Sequence, residues 1–282
     1  MKKQLFVLSF IAVFVLALSQ PLSLAAQQRE RHHATDTITR ANPHDDHSDS
    51  DLPEKDEFHQ SYQLAAGARV DVQGINGSVE IETAPGSTAQ VNIYRSARTR
   101  EDLEFRKVLV EQTATSLVVR GEKDPNGMGR NRDVRQRVTL SLPRQIELGV
   151  SGVNGKVGVG EIDGPVKLSG INGKVEVAQA MGYSNLSGIN GRVKVTITRL
   201  GEQGIHVSGI NGGVELFFAE DLNADLDVTG INGNVNAEVA NVTILGKVDK
   251  QNFHAKIGSG GSPIKVSGVN GHVKLSRVGA PG

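Results

Sequence analysis

The tetrapeptide Gly-Ile/Val-Asn-Gly occurs seven times, at residues 74–77, 152–155, 170–173, 188–191, 209–212, 230–233 and 268–271. A turn that returns at near-constant spacing restricts the chain to architectures built from a repeating unit. The asparagines are Asn76, Asn154, Asn172, Asn190, Asn211, Asn232 and Asn270. A degenerate copy, QNFHAKIG, puts Asn252 in the asparagine place and Ala255 and Ile257 in the apolar places. From Asn154 onward the spacings are then 18, 18, 21, 21, 20 and 18 residues. The gap of 78 positions from Asn76 to Asn154 leaves room for further strands.

Asn-Gly between alternating apolar residues is the usual mark of a two-residue β-hairpin. In LSGINGKVEV (168–177) that pairing sets Ile171 opposite Lys174, and directly paired residues share one face of the sheet. Val166, Leu168, Val175 and Val177 line one face, while Ile171 falls among Ser169, Lys174 and Glu176 on the other. Every intact copy places Ile or Val at that misfit position. A corner in a coil removes the conflict, because a bend at the tetrapeptide turns Leu168 and Ile171 inward despite their odd separation. Each unit then makes one turn of a solenoid, equivalent strands pair in parallel, and stacked asparagines pass amide hydrogen bonds from coil to coil. Seven coils span roughly 34 Å at the ordinary strand spacing. The expected fold class is all-β, a parallel β-helix or solenoid with coils of 18–21 residues and a less regular N-terminal β region. An antiparallel meander is the alternative.

Gly is abundant at 33 residues and aromatics make up 4%, which suits a turn-rich β protein. Without cysteine the chain has no disulfide, thiolate metal site or thiol nucleophile. Residues 1–25 read as a cleaved secretory signal: Lys2 and Lys3, an apolar run from Leu5 to Leu18, then Ser23-Leu24-Ala25. An uncleaved anchor is the competing reading, but the run is short for a bilayer, and no cysteine follows it to take a lipid. Removal of the signal leaves 29 basic residues against 31 acidic. A near-neutral charge argues against a nucleic-acid partner held by phosphate neutralisation. Residues 26–60 are polar and aperiodic and are expected to be a disordered linker. His32, His33, His44, His47 and His59 lie there among aspartates, a composition open to weak metal binding but without fixed ligand spacing. Residues 61–282 form the β-solenoid domain, with irregular strands over 61–150 and regular coils over 151–279. AQVNIYRSA, SLVVRGE and RQRVTLSLP read as strands, REDLEFRKVL as a short helix and EKDPNGMGRNRD as an exposed loop. An antiparallel flap over the first coils and the tail RVGAPG at the other side are the expected protection for the open ends.

Over residues 61–279 the chain resembles the bacterial putative adhesin family of the head GIN-domain type. The resemblance rests on the repeated GIN-G turns, on VTLSLPRQIELGVSGVNGKVGV and on the signal sequence. It implies a right-handed β-helix exported to the bacterial envelope, with no established enzymatic activity, and no cofactor is expected.

Acids follow the turn at Glu80, Glu176 and Glu215, but equivalent places hold Gly158, Lys194 and Asn236. The sequence therefore builds no acidic cluster on consecutive coils of the kind a glycosidase needs. His206, His254 and His272 are single and scattered, and no metal, nucleotide or nucleophile motif occurs. Lys156, Lys174 and Arg192 follow the turn on three successive coils. Stacked in register they form a basic row for an anionic glycan or lipid headgroup, or else a solvated row balanced by acids such as Glu176. Of Phe217 and Phe218, adjacent on one strand, one is expected in the core. The sequence thus points to a non-catalytic, exported binding or scaffolding module of the cell envelope. Its partner is an unnamed envelope polymer or protein, with no permanent membrane anchor. A polysaccharide-acting enzyme and a self-assembling structural protein are the rivals.

Overall fold

The computed structural model describes residues 52–122, 134–180, 183–197, 199–219, 222–238, 242–245 and 252–278. The expected secretory signal, most of the expected linker and the polar loop 123–133 lie outside the described residues. The chain runs through β1 (Glu54–Gln63), β2 (Ala68–Gln73), β3 (Gly77–Ala84) and β4 (Thr88–Ala97) to one short helix, α1 (Arg100–Phe105). Next come β5 (Val108–Thr113), β6 (Ser116–Gly121) and β7 (Val134–Pro143). Strand pairs follow: β8 (Ile146–Ser151) with β9 (Val157–Ile162), β10 (Val166–Asn172) with β11 (Val175–Ala180), and β12 (Ser184–Asn190) with β13 (Val193–Ile197). After them come β14 (Ile205–Asn211) with β15 (Val214–Phe218), and β16 (Ala224–Asn232) with β17 (Val235–Glu238). Short β18 (Val242–Ile244) and β19 (Phe253–Ile257) precede the last pair, β20 (Ser262–Asn270) and β21 (Val273–Arg277).

These strands form an all-β solenoid of two sheets. Sheet A has the order β1-β4-β7-β3-β9-β11-β13-β15-β21-β17, and sheet B the order β18-β19-β16-β20-β14-β12-β10-β8-β2-β6-β5. Each regular coil gives one strand to each sheet, and the tetrapeptide is the corner between them. Leu168 faces Leu186, Ile171 faces Ile189 and Asn172 faces Asn190, all in parallel register, so the hairpin alternative is excluded. Leu168, Ile171, Val175 and Val177 are all buried. The odd step from Leu168 to Ile171 is absorbed at Gly170, whose φ is +61°, a conformation that costs glycine little. Successive coils stack their aliphatics in columns between the sheets, forming one continuous core. Phe218 joins it fully buried, and Phe217 turns outward beneath Lys194, whose Nζ is 4.9 Å from the ring centre.

Spatial order departs from chain order near the C-terminal end. β20 lies between β14 and β16, and β21 between β15 and β17. The coil bearing Asn270 therefore stacks on that of Asn211, and the coil of Asn232 lies outside it. Asn252 does not form the expected corner. Its strand, β19, runs antiparallel to β16, with Phe253 facing Val228, and neither neighbour of Asn252 is a glycine that could make the bend. From β19 the chain crosses the end of β16 through Gly258–Gly261, where Ser259 donates its N–H (2.8 Å) and hydroxyl (3.1 Å) to Asn223 Oδ1. The expected capping tail, RVGAPG, lies mostly outside the described residues. The outermost strands of the stack at this end are β17 in sheet A and β18 in sheet B.

The N-terminal end makes a similar excursion. β6 and β7 lie outside β2 and β3, which they flank in parallel, and β8 and β9 return to the inner side. The expected flap is present as antiparallel β4 on β7 and β5 on β6. The linker expectation ran too far, because Glu54–Gln63 pairs antiparallel with β4 along its length. Nearly all of β1 is solvent-exposed on both faces, so an edge strand of this kind carries no apolar alternation to read. Its attachment is polar: Asp56 forms an ion pair with Arg95, whose guanidinium also donates to the Leu103 (2.8 Å) and Arg106 (3.1 Å) carbonyls at the end of α1. The helix begins at Thr99, whose hydroxyl accepts from the Asp102 N–H at 3.2 Å, the ordinary N-cap bond.

Ser184 interrupts an aliphatic column. It faces Val166 on one side and Ile205 on the other, is 1% exposed, and its hydroxyl has no hydrogen-bond partner among the described residues. Burying an unpaired hydroxyl costs on the order of 1–3 kcal/mol. Ser184→Val is expected to raise stability by about 1 kcal/mol, read as a higher thermal midpoint. A lowered midpoint would mean that the column has no room for the larger side chain.

Candidate functional site

The corners carry the asparagine ladder. Each amide nitrogen donates to the next carbonyl oxygen along the stack: Asn154 to Asn76 and Asn172 to Asn154 at 2.9 Å, Asn190 to Asn172 and Asn211 to Asn190 at 3.0 Å. Asn270 donates to Asn211 and Asn232 to Asn270, both at 3.1 Å. At the N-terminal end Asn76 donates to the Val134 carbonyl at 3.0 Å, and Gln136 Oε1 accepts from the Asn76 N–H at 2.9 Å. The ladder thus joins all seven intact tetrapeptides, without Asn252, whose Oδ1 accepts instead from the Gly230 N–H at 3.4 Å. Its amides are consumed in coil-to-coil bonds, so its role is to hold register.

Lys156, Lys174 and Arg192 do stack on successive corners, as the backbone bonds from Val157 to the Lys174 carbonyl and from Val175 to the Arg192 carbonyl require. Acids on sheet A balance them. Glu176 takes Lys174 at 2.7 Å and Lys156 at 3.4 Å, and Glu215 lies 3.7 Å from Arg192 Nε. Burial pushes the Glu176 carboxyl up, but Lys174 and Lys156 outweigh it and hold the group below the usual carboxylate range. A carboxylate depressed on folding adds stability above its unfolded pKa, near 4.3 for Glu, and loses that contribution as pH falls through its folded value. Between neutral pH and about pH 3, therefore, Glu176→Gln is expected to lose less stability than the parent chain. Parallel stability–pH curves for the two would remove the charge pairing.

Register on the outer face of sheet A alternates sign: Glu176, Lys194, Glu215 and Lys274 stand side by side on four neighbouring strands. A groove of about 500 Å³ crosses this face, lined in part by Glu80, Glu82, Gly158, Gly160, Glu176 and Lys194. As the sequence reading expects, no two of the post-turn acids Glu80, Glu176 and Glu215 sit on adjacent strands. Side-chain-free Gly158 separates Glu80 from Glu176, so both line one groove although they are not on adjacent strands. Among the described residues no group of three or more His, Asp or Glu is placed to hold a metal ion. No described helix is long and apolar enough to cross a membrane.

The outer face of sheet B carries a row that the sequence reading passed over. The residue before each tetrapeptide points outward, and these residues are in parallel register: Gln73, Ser151, Ser169, Ser187, Ser208, Ser267 and Thr229, in spatial order. The signal was present, since the repeat reads Ser-Gly-Ile/Val-Asn-Gly in five of its seven copies. Beside this row runs a second one, Lys167, Asn185, His206 and Lys265. Tyr183 leans on His206, edge to face with ring centres 5.3 Å apart and its hydroxyl 3.3 Å from Nδ1. Several charges on this face come with opposite neighbours, although Lys167 stands between Gly149 and Asn185. Arg69 pairs with Asp71 at 2.6 Å, Asp227 faces Lys265 in register, and His254 Nδ1 lies 3.2 Å from Asp227. At the Gln73 end the row runs into a cleft of about 760 Å³, lined by Gln73, Gly74, Phe105, Arg120, Ser151 and Gly152 among others. Phe105 is 38% exposed there.

No family model matches the chain, and no curated protein matches it. Among solved structures it is similar to a putative cell adhesion protein from Clostridium sporogenes, at 12% identity, covering 80% of this chain and 100% of that one with a TM-score of 0.47. It is also similar to a putative adhesin from Bacteroides fragilis, at 13% identity over 80% of this chain and 99% of that one, TM-score 0.32. A third, a putative lipid binding protein from Parabacteroides distasonis, has 11% identity over 79% of this chain and 96% of that one, TM-score 0.31.

Proposed function

We propose that this chain is an exported, non-catalytic β-solenoid, an adhesin-like binding or scaffolding module of the cell envelope. The observation that carries the reading is the in-register repetition of outward side chains across both sheets, from Ser151 to Thr229 on one and from Glu176 to Lys274 on the other. Such rows suit a partner that itself repeats or extends, and they require no reacting groups to converge. Export is supported by the signal sequence over residues 1–25. End-to-end self-assembly is disfavoured, because β1, β5 and β18 close three sheet edges with antiparallel pairing and interrupt the parallel stack that another copy would extend. The test is fractionation of producing cells, followed by co-sedimentation of the purified protein with isolated envelopes. The expected result is recovery outside the cytoplasm and retention on the envelope pellet. Cytoplasmic recovery, or release of reducing sugar from envelope glycans by the pure protein, would overturn the reading.

A further inference from the structure

We infer that β1 is a self-association edge, through which two copies of this chain join by antiparallel pairing of their β1 strands about a twofold axis at Phe58. The inference goes beyond the binding-module reading and does not depend on it.

β1 is the end strand of sheet A, so the outer side of its backbone meets no other strand among the described residues. Exposed edges are ordinarily blunted by shortness, proline, a bulge or an inward charge. The other edge strands are short: β5 has six residues, β17 four and β18 three. β1 has ten, contains no proline and keeps unbroken register with β4 from Glu54 to Gln63. Asp56, on its core side, is neutralised by Arg95. Sheet A also overhangs sheet B at this end. Beyond β6 and β7, sheet B adds β5 alone, whereas sheet A adds β4 and then β1. Phe58 sits on the core side, opposite buried Ile93, yet it is 36% exposed, with no described strand of sheet B across from it.

Strand geometry and charge select the register. In an antiparallel pair, facing residues turn their N–H and C=O groups both toward each other or both away. That direction alternates along a strand, so a twofold axis between two β1 strands must pass through a residue. Only axes at Phe58 and at His59 let nine of the ten residues pair. The axis at His59 sets two imidazoles face to face, and it draws in Gln63, whose carbonyl already accepts from Gln112 Nε2 at 3.1 Å. The axis at Phe58 sets Glu57 of each copy opposite His59 of the other and brings no like charges face to face. It also lays the two exposed Phe58 rings against each other. Opposite charges and aromatic pairs directly across a sheet each add stability. Such an interface is isologous and closes at two copies, so it builds no fibre and does not extend the parallel stack.

The test is sedimentation equilibrium of the purified full chain over a wide concentration range, with a dimer expected at the upper end. Phe58→Asp and His59→Glu, which set acids face to face, are each expected to raise the dimer dissociation constant about tenfold. The exchange Glu57→His/His59→Glu is expected to restore it. These positions are exposed, and a retained thermal midpoint shows that the variants fold. The chain has no cysteine, so Phe58→Cys gives a direct check. Residues facing each other across a sheet approach disulfide spacing, and mild oxidation is expected to yield a covalent dimer. Gln63→Cys lies five residues from the axis, about 34 Å from its mate, and is expected to stay uncrosslinked. A monomer at every concentration, or equal cross-linking of the two cysteine variants, would overturn the edge. So would a dimer that Phe58→Asp leaves intact, or a loss in His59→Glu that the exchange does not repair.

Discussion

Gly173→Ala is expected to destabilise the solenoid by about 4 kcal/mol, in the range reserved for a few named structural insults. Gly170→Asn, three residues away in the same corner, is expected to cost no more than about 1 kcal/mol. The two glycines do different work. At Gly170 the backbone sits at φ +61°, and an added Cβ would come no nearer than 3.6 Å to Gly152 N. The requirement there is conformational, and Asn meets it better than other side chains. At Gly173 an added Cβ would stand 2.2 Å from the Gly155 carbonyl oxygen, a backbone atom fixed in the coil below. Gly191 and Gly212 stand in the same relation to the corners beneath them, each at 2.1 Å, so the neighbouring coil has no slack to yield. Denaturant unfolding of both variants checks the order. Equal losses would mean that backbone conformation alone demands glycine at both ends of the tetrapeptide.

That division of labour shows what was legible in the sequence. The corner, the inward Ile or Val and the asparagine column follow from local pattern, and each copy carries the whole pattern. The stacking order did not follow, because copies that fit the same slot are interchangeable by sequence. The corners at Asn232 and Asn270 carry the same tetrapeptide, so each offers Asn211 the same contacts. A weaker cue was available. β17 reads Val-Asn-Ala-Glu and is mostly exposed, whereas Val273 and Leu275 of β21 are fully buried, as befits an edge strand and an inner strand. The serine row was missed for a different reason. Polar residues at outward strand positions are the default expectation, and only their identity from coil to coil distinguishes this row from ordinary surface. The Phe105 cleft was beyond reach, since it joins a helix end to strands contributed by β2, β6 and β8.

Ending the chain after Gly261 is expected to detach residues 222–261 from the body and expose the outer edge of β14. In a solenoid stacked in chain order, loss of the last coil would shorten the stack by one unit and leave the rest in place. Here the last coil is internal. It contributes Ile264, Val266, Val269, Val273 and Leu275 to the core, each at most 1% exposed. At roughly 1.5–3 kcal/mol per buried aliphatic side chain, the five together contribute about 7.5–15 kcal/mol, comparable to the whole net stability of a typical domain, about 5–15 kcal/mol. β16 would keep only β19 as a partner, and β17 would lose its sole neighbour in sheet A. The coils from β2 to β13 retain their partners, and β14 and β15 keep theirs on the inner side. Limited proteolysis of the truncated chain should therefore cut first between residues 222 and 261, leaving a resistant core. Because the slot for β20 and β21 is filled by strands that follow β16–β19 in the chain, the same geometry predicts that β16–β19 gain hydrogen-exchange protection only once those strands have inserted. Protection of β16 in the truncated chain equal to that in the full chain would mean that β16–β19 can dock on β14 directly, and the intercalated order would then not be what holds this end together.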